Sequence, residues 1–169
     1  WVTTSELRES LIYTTAQSIT KDALESHSAP HIYPSGTLLF AMYGATIGRM
    51  GILGVPATVN QACCAFAAPR HFNSRFIFYW LWMRRPILIS LASGGGQPNL
   101  SQDDLRSLRV ATPPIAEQHA ISVFLDLETA KIDGLVRNVD DAIERLQEFR
   151  AALITAAVTG KIDVRKVAM

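Results

Sequence analysis

The sequence predicts an α+β protein in which a mixed, largely antiparallel sheet with short helices is followed by one long C-terminal α-helix. Before residue 112, short apolar runs alternate with glycine and proline turns, which is the pattern of strands in a sheet. From residue 132 to residue 156, apolar residues instead recur as heptads, which is typical of a helix that packs along another helix.

The composition limits what the chain as a whole can suggest. Its 169 residues suffice for one domain plus an extended element. A net charge of +1 gives no overall signal for nucleic acid, so any DNA contact has to come from local clusters of cations. No segment resembles a signal peptide and the apolar runs are too short to span a membrane, so we expect a soluble, cytoplasmic protein.

The first elements are marked by caps and turns. Residues 1–4 read like the middle of a strand, which suggests a fragment or a processed start, and Ser5 is placed to cap a helical turn. Thr20 is placed as the N-cap of a short helix with acidic residues in its first turns.

Three strands are predicted next. Residues 37–43 and 49–53 predict two strands of a hairpin around the glycine-bracketed loop 44–48. Residues 57–68 predict a third strand, which ends at a proline.

A helix of another character is predicted from residue 75. Residues 75–83 are apolar nearly all round, which favours a buried helix. We expect a break at Arg85, after which Pro86 begins a second short helix over residues 87–92. The aromatic residues here are interpreted as core rather than as a platform for base stacking, because basic residues are not interleaved with them.

The last elements before the long helix are short. Ser101 and Asp104 form a Ser-x-x-Asp capping pattern for a helix that extends to about Leu108. Residues 109–112 predict a strand that the two following prolines stop.

The long helix is predicted over residues 115–159, with Gly160 as its left-handed C-cap and a length on the order of 60 Å. All eight heptad a and d positions between residues 132 and 156 are apolar, which predicts a partner helix; an ordinary amphipathic helix on its own domain's core is the alternative. The residues expected to form this helix seam are Ile132, Leu135, Val139, Leu146, Phe149 and Leu153.

Catalytic and metal sites find little support. Cys63 and Cys64 are adjacent in a strand-like run, so their side chains point to opposite faces and are interpreted as structural thiols. The four histidines have no metal-ligand spacing. The glycine-bracketed loops 44–48 and 94–96 lack the lysine and Ser/Thr of a P-loop. We therefore expect no catalysis, no metal and no cofactor in this chain.

Several motifs together resemble one family. Residues 94–101 read Gly-Gly-Gly-Gln-Pro-Asn-Leu-Ser, and residues 112–121 read Thr-Pro-Pro-Ile-Ala-Glu-Gln-His-Ala-Ile. In this combination they resemble the specificity subunit of type I restriction–modification systems. Further segments similar to that family are residues 1–7, 34–39, 43–48, 59–62 and 153–165.

The resemblance implies a non-catalytic subunit that recognises a bipartite DNA target and positions methyltransferase and restriction subunits. S-adenosylmethionine, ATP and Mg²⁺ are then expected on those partner subunits. Members usually carry two recognition domains and two long helices that pair as an antiparallel coiled coil. This chain has one of each, which implies a fragment or a half-length form that dimerises. An adaptor that assembles through its helix without specific DNA binding is the alternative function, and a free-standing enzyme is disfavoured.

The resemblance also implies a division of the chain. Residues 1–112 correspond to the target-recognition domain, which in this family usually begins before the segment that matches residues 1–4, so its N-terminal edge is expected to be incomplete. Residues 113–160 correspond to the spacer and dimerisation helix, and residues 161–169 to a tail.

Sequence recognition needs side chains that reach base edges and cations that reach phosphates. Arg49 is the leading candidate, because the glycines of loop 44–48 let the backbone approach DNA closely and arginine can read guanine with two hydrogen bonds. A solvated charge at a strand end is the alternative for Arg49, and a plain surface role is the alternative for Arg70 and Arg75. The predicted DNA-binding residues are Lys21, Tyr43, Thr46, Arg49, Arg70 and Arg75.

Other charges are given different roles. Arg84 and Arg85 are further candidates for DNA contacts, with capping of the preceding helix as the alternative. The outward face of the long helix is acidic and would repel phosphates, so it is a possible contact surface for methyltransferase subunits instead. Its carboxylates are Asp133, Asp140, Asp141, Glu144 and Glu148.

Overall fold

A computed structural model describes residues 1–26, 31–66, 71–92 and 98–166. It confirms the predicted fold class, a mixed sheet with short helices followed by a long C-terminal helix. The strands are β1 (Leu11–Ile12), β2 (Leu38–Ala41), β3 (Met50–Leu53) and β4 (Cys63–Phe66). The α-helices are α1 (Lys21–Ser26), α2 (Ser74–Leu91), α3 (Gln102–Arg106) and α4 (Ile115–Val158). Short 3₁₀ turns span Thr4–Glu6, Gly44–Thr46 and Val164–Lys166.

The sheet has the order β1-β3-β2-β4. Strand β2 pairs antiparallel with both β3 and β4, and β1 pairs parallel with β3. Phe40 lies opposite Met50, so the hairpin predicted around loop 44–48 is confirmed. The sheet is therefore mixed and largely antiparallel, as the sequence predicted.

The central strand β2 is buried on both faces, which explains its uninterrupted apolar sequence. Leu38 and Phe40 face a cluster that includes Phe78 and Leu81 of α2. Leu39 and Ala41 face a second cluster that also contains residues from the start of the chain and from β1. Helix α2 thus covers one face of the sheet, and the N-terminal segment covers the other.

The adjacent cysteines of β4 point to these two different faces, as predicted. Cys63 packs in the second cluster and Cys64 packs against the first, and both are free thiols. Burial raises the pKa of the Cys63 thiol to about 12, so it is protonated at neutral pH. Cys63 is a buried structural thiol, whereas Cys64 is only partly buried.

Helix α2 is continuous, so the predicted break at Arg85 is wrong. Asn73 caps its start by accepting hydrogen bonds from the backbone N–H groups of Arg75 and Phe76. Pro86 removes one helical hydrogen bond, but tertiary contacts on both sides compensate. Arg85 forms an ion pair with Glu9 at 2.9 Å, and Leu88 in the following turn is buried against the sheet.

Of three further strand predictions, one is confirmed in part and two are wrong, because the other residues lack continuous pairing. The segment predicted as residues 57–68 pairs continuously only over β4, because a turn in which the backbone N–H of Cys63 donates to the Asn60 carbonyl precedes it. Residues 67 and 68 lie outside the described residues. Residues 109–112 are irregular, because none of the strands in the described part of the chain pairs with them. Residues 1–4 contribute one isolated bridge, from Val2 to Val59.

The predicted caps can be compared one by one. The hydroxyl of Thr20 accepts from the N–H of Ala23, as expected. Ser101 and Asp104 form the predicted capping box at the start of α3. At the first helical turn, however, the capping residue is Thr3 and not Ser5, because the carboxylate of Glu6 accepts from the Thr3 N–H.

Helix α4 begins and ends close to the predicted residues. It spans Ile115–Val158, about 66 Å at 1.5 Å per residue. Gly160, with a φ of 72°, ends it as predicted. The N–H of Lys161 donates to the Ala156 carbonyl and that of Gly160 to the Ala157 carbonyl, which together form a Schellman motif.

The chain forms two compact units, Trp1–Val123 and Phe124–Met169, so the first turns of α4 belong to the first unit. The functional boundaries predicted at residues 112 and 160 stay a prediction. Within the described ranges, every helix is too short or too polar to cross a lipid bilayer.

Candidate nucleic-acid interface

Loop 44–48, which joins β2 to β3, has a defined and unusual backbone. Gly44 and Gly48 have φ values of 76° and 79°, in the left-handed region that strongly favours glycine. Between them the N–H of Ile47 donates to the Gly44 carbonyl, and the N–H of Gly48 donates to the Ala41 carbonyl. The loop is therefore a tight, hydrogen-bonded turn.

Residues 98–100 pair with the backbone at the start of this loop. The N–H of Gly44 donates to the Pro98 carbonyl at 3.2 Å, and the N–H of Leu100 donates to the Met42 carbonyl at 2.8 Å. Tyr43 and Asn99 form an antiparallel bridge between these bonds. Two motifs that are more than fifty residues apart in the sequence therefore support each other as backbone neighbours.

Helix α2 packs against the end of the loop, at Gly48. A β-carbon added to Gly48 would lie 3.1 Å from Cγ of Arg85 and 3.2 Å from Cδ1 of Ile89, so this glycine permits close packing. The Arg85 guanidinium donates to the Glu9 carboxylate at 2.9 Å, and both side chains are about three-quarters buried. Arg85 therefore braces the loop.

Neither Arg84 nor Arg85 caps a helix, which corrects that interpretation. Helix α2 continues past both residues to Leu91. The Arg84 guanidinium lies 5.4 Å from the centre of the Trp80 ring, in cation–π geometry.

The structure brings three predicted DNA-binding residues together on the supported loop. Arg49 is exposed at the loop's end, while its carbonyl accepts from the Ala41 N–H at 2.8 Å. Tyr43 and Thr46 precede it in the same turn and are partly buried. An exposed guanidinium on a hydrogen-bonded backbone is thus combined with two hydroxyl groups.

The other predicted residues lie elsewhere. Lys21 is the exposed first residue of α1 and lines a separate cleft with Tyr13 and Leu24. Arg75, in the first turn of α2, lies with its guanidinium 4.8 Å from the centre of the Phe78 ring. Arg70 lies outside the described residues. The role of all six residues as DNA contacts stays a prediction.

Sequence reasoning missed Arg8. This exposed residue precedes Glu9, whose N–H donates to the Met50 carbonyl at 2.8 Å, next to Arg49. The two arginines thus lie on neighbouring backbone segments, while Arg85 compensates the charge of Glu9. No local sequence signal could reveal that Arg8 lies near Arg49, because their proximity depends on pairing between residues about forty positions apart.

This arrangement is suited to binding. Arginine and hydroxyl side chains on a rigid turn offer hydrogen bonds to phosphate oxygens and base edges. Among the described ranges, no group of three or more His, Cys, Asp and Glu side chains could hold a metal ion.

The heptad residues of α4 form an exposed apolar stripe, which we call the helix seam. Leu146 is 67% exposed, and Leu135 and Phe149 are nearly as accessible. A long apolar stripe of this kind marks an association surface. The seam residues, all exposed, are Ile132, Leu135, Val139, Leu146, Phe149 and Leu153.

Residues 1–145 match the family model of the type I restriction modification DNA specificity domain. Among curated proteins, the chain is 30% identical over 108 residues to the type I restriction enzyme EcoBI specificity subunit of Escherichia coli, covering 63% of this chain and 23% of that protein. It is 25% identical over 153 residues to the EcoDI specificity subunit of Escherichia coli, covering 88% of this chain and 33% of that protein. The chain thus spans only 23% and 33% of the length of these two relatives.

Two solved structures share the fold. A chain from a structure of the type I R-M system that addresses complex assembly and conformational transition superposes with a TM-score of 0.67 at 21% identity, covering 77% of this chain and 32% of that chain. The HsdS subunit from Thermoanaerobacter tengcongensis superposes with a TM-score of 0.55 at 21% identity, covering 65% of this chain and 26% of that chain.

Proposed function

Because the chain belongs to the family of type I restriction modification DNA specificity domains, we propose that it is a non-catalytic DNA-recognition subunit. One observation carries the proposal at the level of residues. The exposed Arg49 ends a loop whose backbone is held by residues 98–100 on one side and by Arg85 on the other. A fixed backbone lets an arginine read base edges, because little further ordering is needed on binding.

The helix seam pairs antiparallel with a second helix of the same kind. In a parallel, in-register pair, a g residue faces the e residue five positions later on its partner. Arg145 at g would then face Arg150 at e on both sides of the seam, with like charges opposed. An antiparallel pair does not impose this contact, so the charge pattern favours the antiparallel arrangement.

An antiparallel pair of identical units has a two-fold axis, so its target is two inverted half-sites. Both half-sites face the same side of the duplex when their centres lie about one helical turn, ~10 bp, apart. The target is therefore bipartite.

Catalysis belongs to partner subunits in this proposal. The acidic outward face of α4, with Asp140, Asp141 and Glu144, is exposed and suits contact with a methyltransferase subunit better than with DNA. The methyltransferase and restriction subunits supply the sites for S-adenosylmethionine, ATP and Mg²⁺. The assembly works in the cytoplasm, where its DNA substrate is located.

Titration of the purified chain against pools of duplex DNA at two salt concentrations tests this function. Saturable binding enriched for particular sequences, with an affinity that falls as salt rises, supports it. The Arg49→Ala variant is expected to lose ~1–3 kcal/mol on the enriched sequence and to accept more bases at one position. The matched control is Arg137→Ala, which removes an exposed arginine from α4 and should leave affinity unchanged.

The exposed seam also suits a second candidate, an adaptor that assembles through its helix without specific DNA binding. Equal affinity for all sequences, or no binding at either salt concentration, would favour this adaptor. Loss of affinity in Arg137→Ala as great as in Arg49→Ala would remove the special role of loop 44–48.

A further inference from the structure

Gln118, in the first turn of α4, is a polar residue with only 1% of its surface exposed. Its Oε1 accepts from the backbone N–H of Asn73 at 2.9 Å. Its Nε2 donates to the carbonyl oxygens of Pro113 at 2.8 Å and His71 at 3.1 Å. Both ends of the amide are therefore satisfied, which is what a buried polar side chain requires.

The partner residue Asn73 has a role of its own, because it caps α2. Its Oδ1 accepts from the N–H groups of Arg75 and Phe76. One turn beyond Gln118, the Ser122 hydroxyl lies 3.3 Å from the same oxygen and 2.8 Å from the Gln118 carbonyl. We call Gln118, Ser122 and Asn73 the Gln118 network; it joins the start of α4 to the start of α2.

The Gln118 network fixes the rotation of α4 about its axis more closely than a purely apolar contact would. Gln118 and Ser122 are four residues apart, so they lie on one face of α4. A rotation of the helix about its axis by one residue, ~100°, would turn both side chains away from Asn73. Apolar side chains tolerate such sliding, whereas hydrogen bonds weaken steeply when their angles change.

We propose that Gln118 is a positioning residue that holds the rotation and depth of α4's first two turns against the start of α2, and thereby sets which separation between two half-sites the protein accepts. The second part rests on the proposed function. Loop 44–48 packs against α2 through Arg85. Helix α4 runs unbroken from Ile115 to Val158. The seam residues follow these first turns along the same helix.

Hydrogen exchange of the full chain tests the first part without DNA. In Gln118→Ala and in Gln118→Glu, the amides of residues 115–123 and 74–77 should exchange on the order of tenfold faster or more. Gln118→Glu keeps the acceptor for Asn73 and the size of the side chain, but places a carboxylate against two carbonyl oxygens. The control is His119→Ala, which changes the exposed neighbour on the same helix.

Exchange in β2 and β3 should stay at the wild-type rate in both Gln118 variants. A uniform increase throughout the first unit would show that Gln118 only stabilises the domain, and no increase would show that it holds nothing in place. Either result overturns the proposal.

The second part is tested with duplexes that carry the two half-sites at separations differing by single base pairs. Wild type should prefer one separation. In both Gln118 variants, the Kd for the next-best separation divided by the Kd for the best separation should fall towards one. Affinity for a single half-site should be retained. An unchanged ratio would overturn the proposal. If the wild-type chain binds no bipartite duplex, the proposed function fails, and hydrogen exchange still decides whether Gln118 holds the helix.

Discussion

Replacing Gly48 with alanine should destabilise the protein and also weaken DNA binding. The residue has a φ of 79°, and an alanine there costs ~1–2 kcal/mol from backbone strain. The added β-carbon would lie 3.1 Å from Cγ of Arg85 and 3.2 Å from Cδ1 of Ile89. Those side chains have to shift by a few tenths of an ångström, which adds ~1 kcal/mol, at the low end of overpacking costs. The total is ~2–3 kcal/mol.

Gly36→Ala is the matched control. Gly36 has a φ of 85°, but nothing lies within 4 Å of its added β-carbon. It should therefore lose only the ~1–2 kcal/mol of backbone strain. The difference between the two variants isolates the packing of α2 on loop 44–48.

Urea unfolding at constant m-value measures both losses, and duplex titration measures the effect on binding. Gly48→Ala should unfold at the lower urea concentration and lose affinity, because displacement of Arg85 disturbs the support behind the loop. Gly36→Ala should keep wild-type affinity. Equal urea midpoints and equal affinities for Gly48→Ala and Gly36→Ala would refute the view that α2 supports loop 44–48.

Three further predictions concern the helices. Leu146→Asp in the seam should weaken self-association by ~3 kcal/mol or more for two copies, seen as a shift towards monomer in sedimentation; an unchanged mass would contradict the seam. Gly134→Ala should raise the free energy of unfolding by up to ~1 kcal/mol in urea titrations, because its added β-carbon meets only Arg137, at 3.8 Å; a loss would imply a helix contact at this position. Hydrogen bonds from Ser101 lower the pKa of Asp104, so the α3 cap should stabilise above the carboxyl's unfolded pKa and weaken as pH falls through the folded value. Ser101→Ala removes the hydroxyl donor but keeps the backbone N–H donor, so it should reduce this acid-range change in amide exchange of α3, and an identical pH profile would contradict the role of the hydroxyl.

Much of the fold was readable from local patterns. The hairpin around loop 44–48, the Ser101 capping box and the C-cap at Gly160 each depend on residues within a few positions of one another. Such contacts form from neighbouring chain segments, so residue type and spacing predict them directly.

Predictions that needed tertiary knowledge failed. The break expected at Arg85 is absent because Arg85 and Leu88 find partners outside the helix. The strand expected at residues 109–112 is absent, although its composition suits a strand, because a strand also needs a neighbour with free backbone groups.

The sequence by itself determined the α+β fold class and the long helix with its apolar seam. It predicted the family, which the family model confirms, and it predicted loop 44–48 as the place to look for DNA contacts. Only the tertiary structure decided what supports that loop: Pro98–Leu100 on one side, and Arg85 with its Glu9 partner on the other. It also decided that Gln118, the last residue of the Pro-Pro-x-x-Glu-Gln motif, is buried and accepts a hydrogen bond from Asn73, the N-cap of α2. These contacts join residues tens of positions apart. Their pairing depends on the order of strands and the direction of helices, which no local pattern of residue types contains.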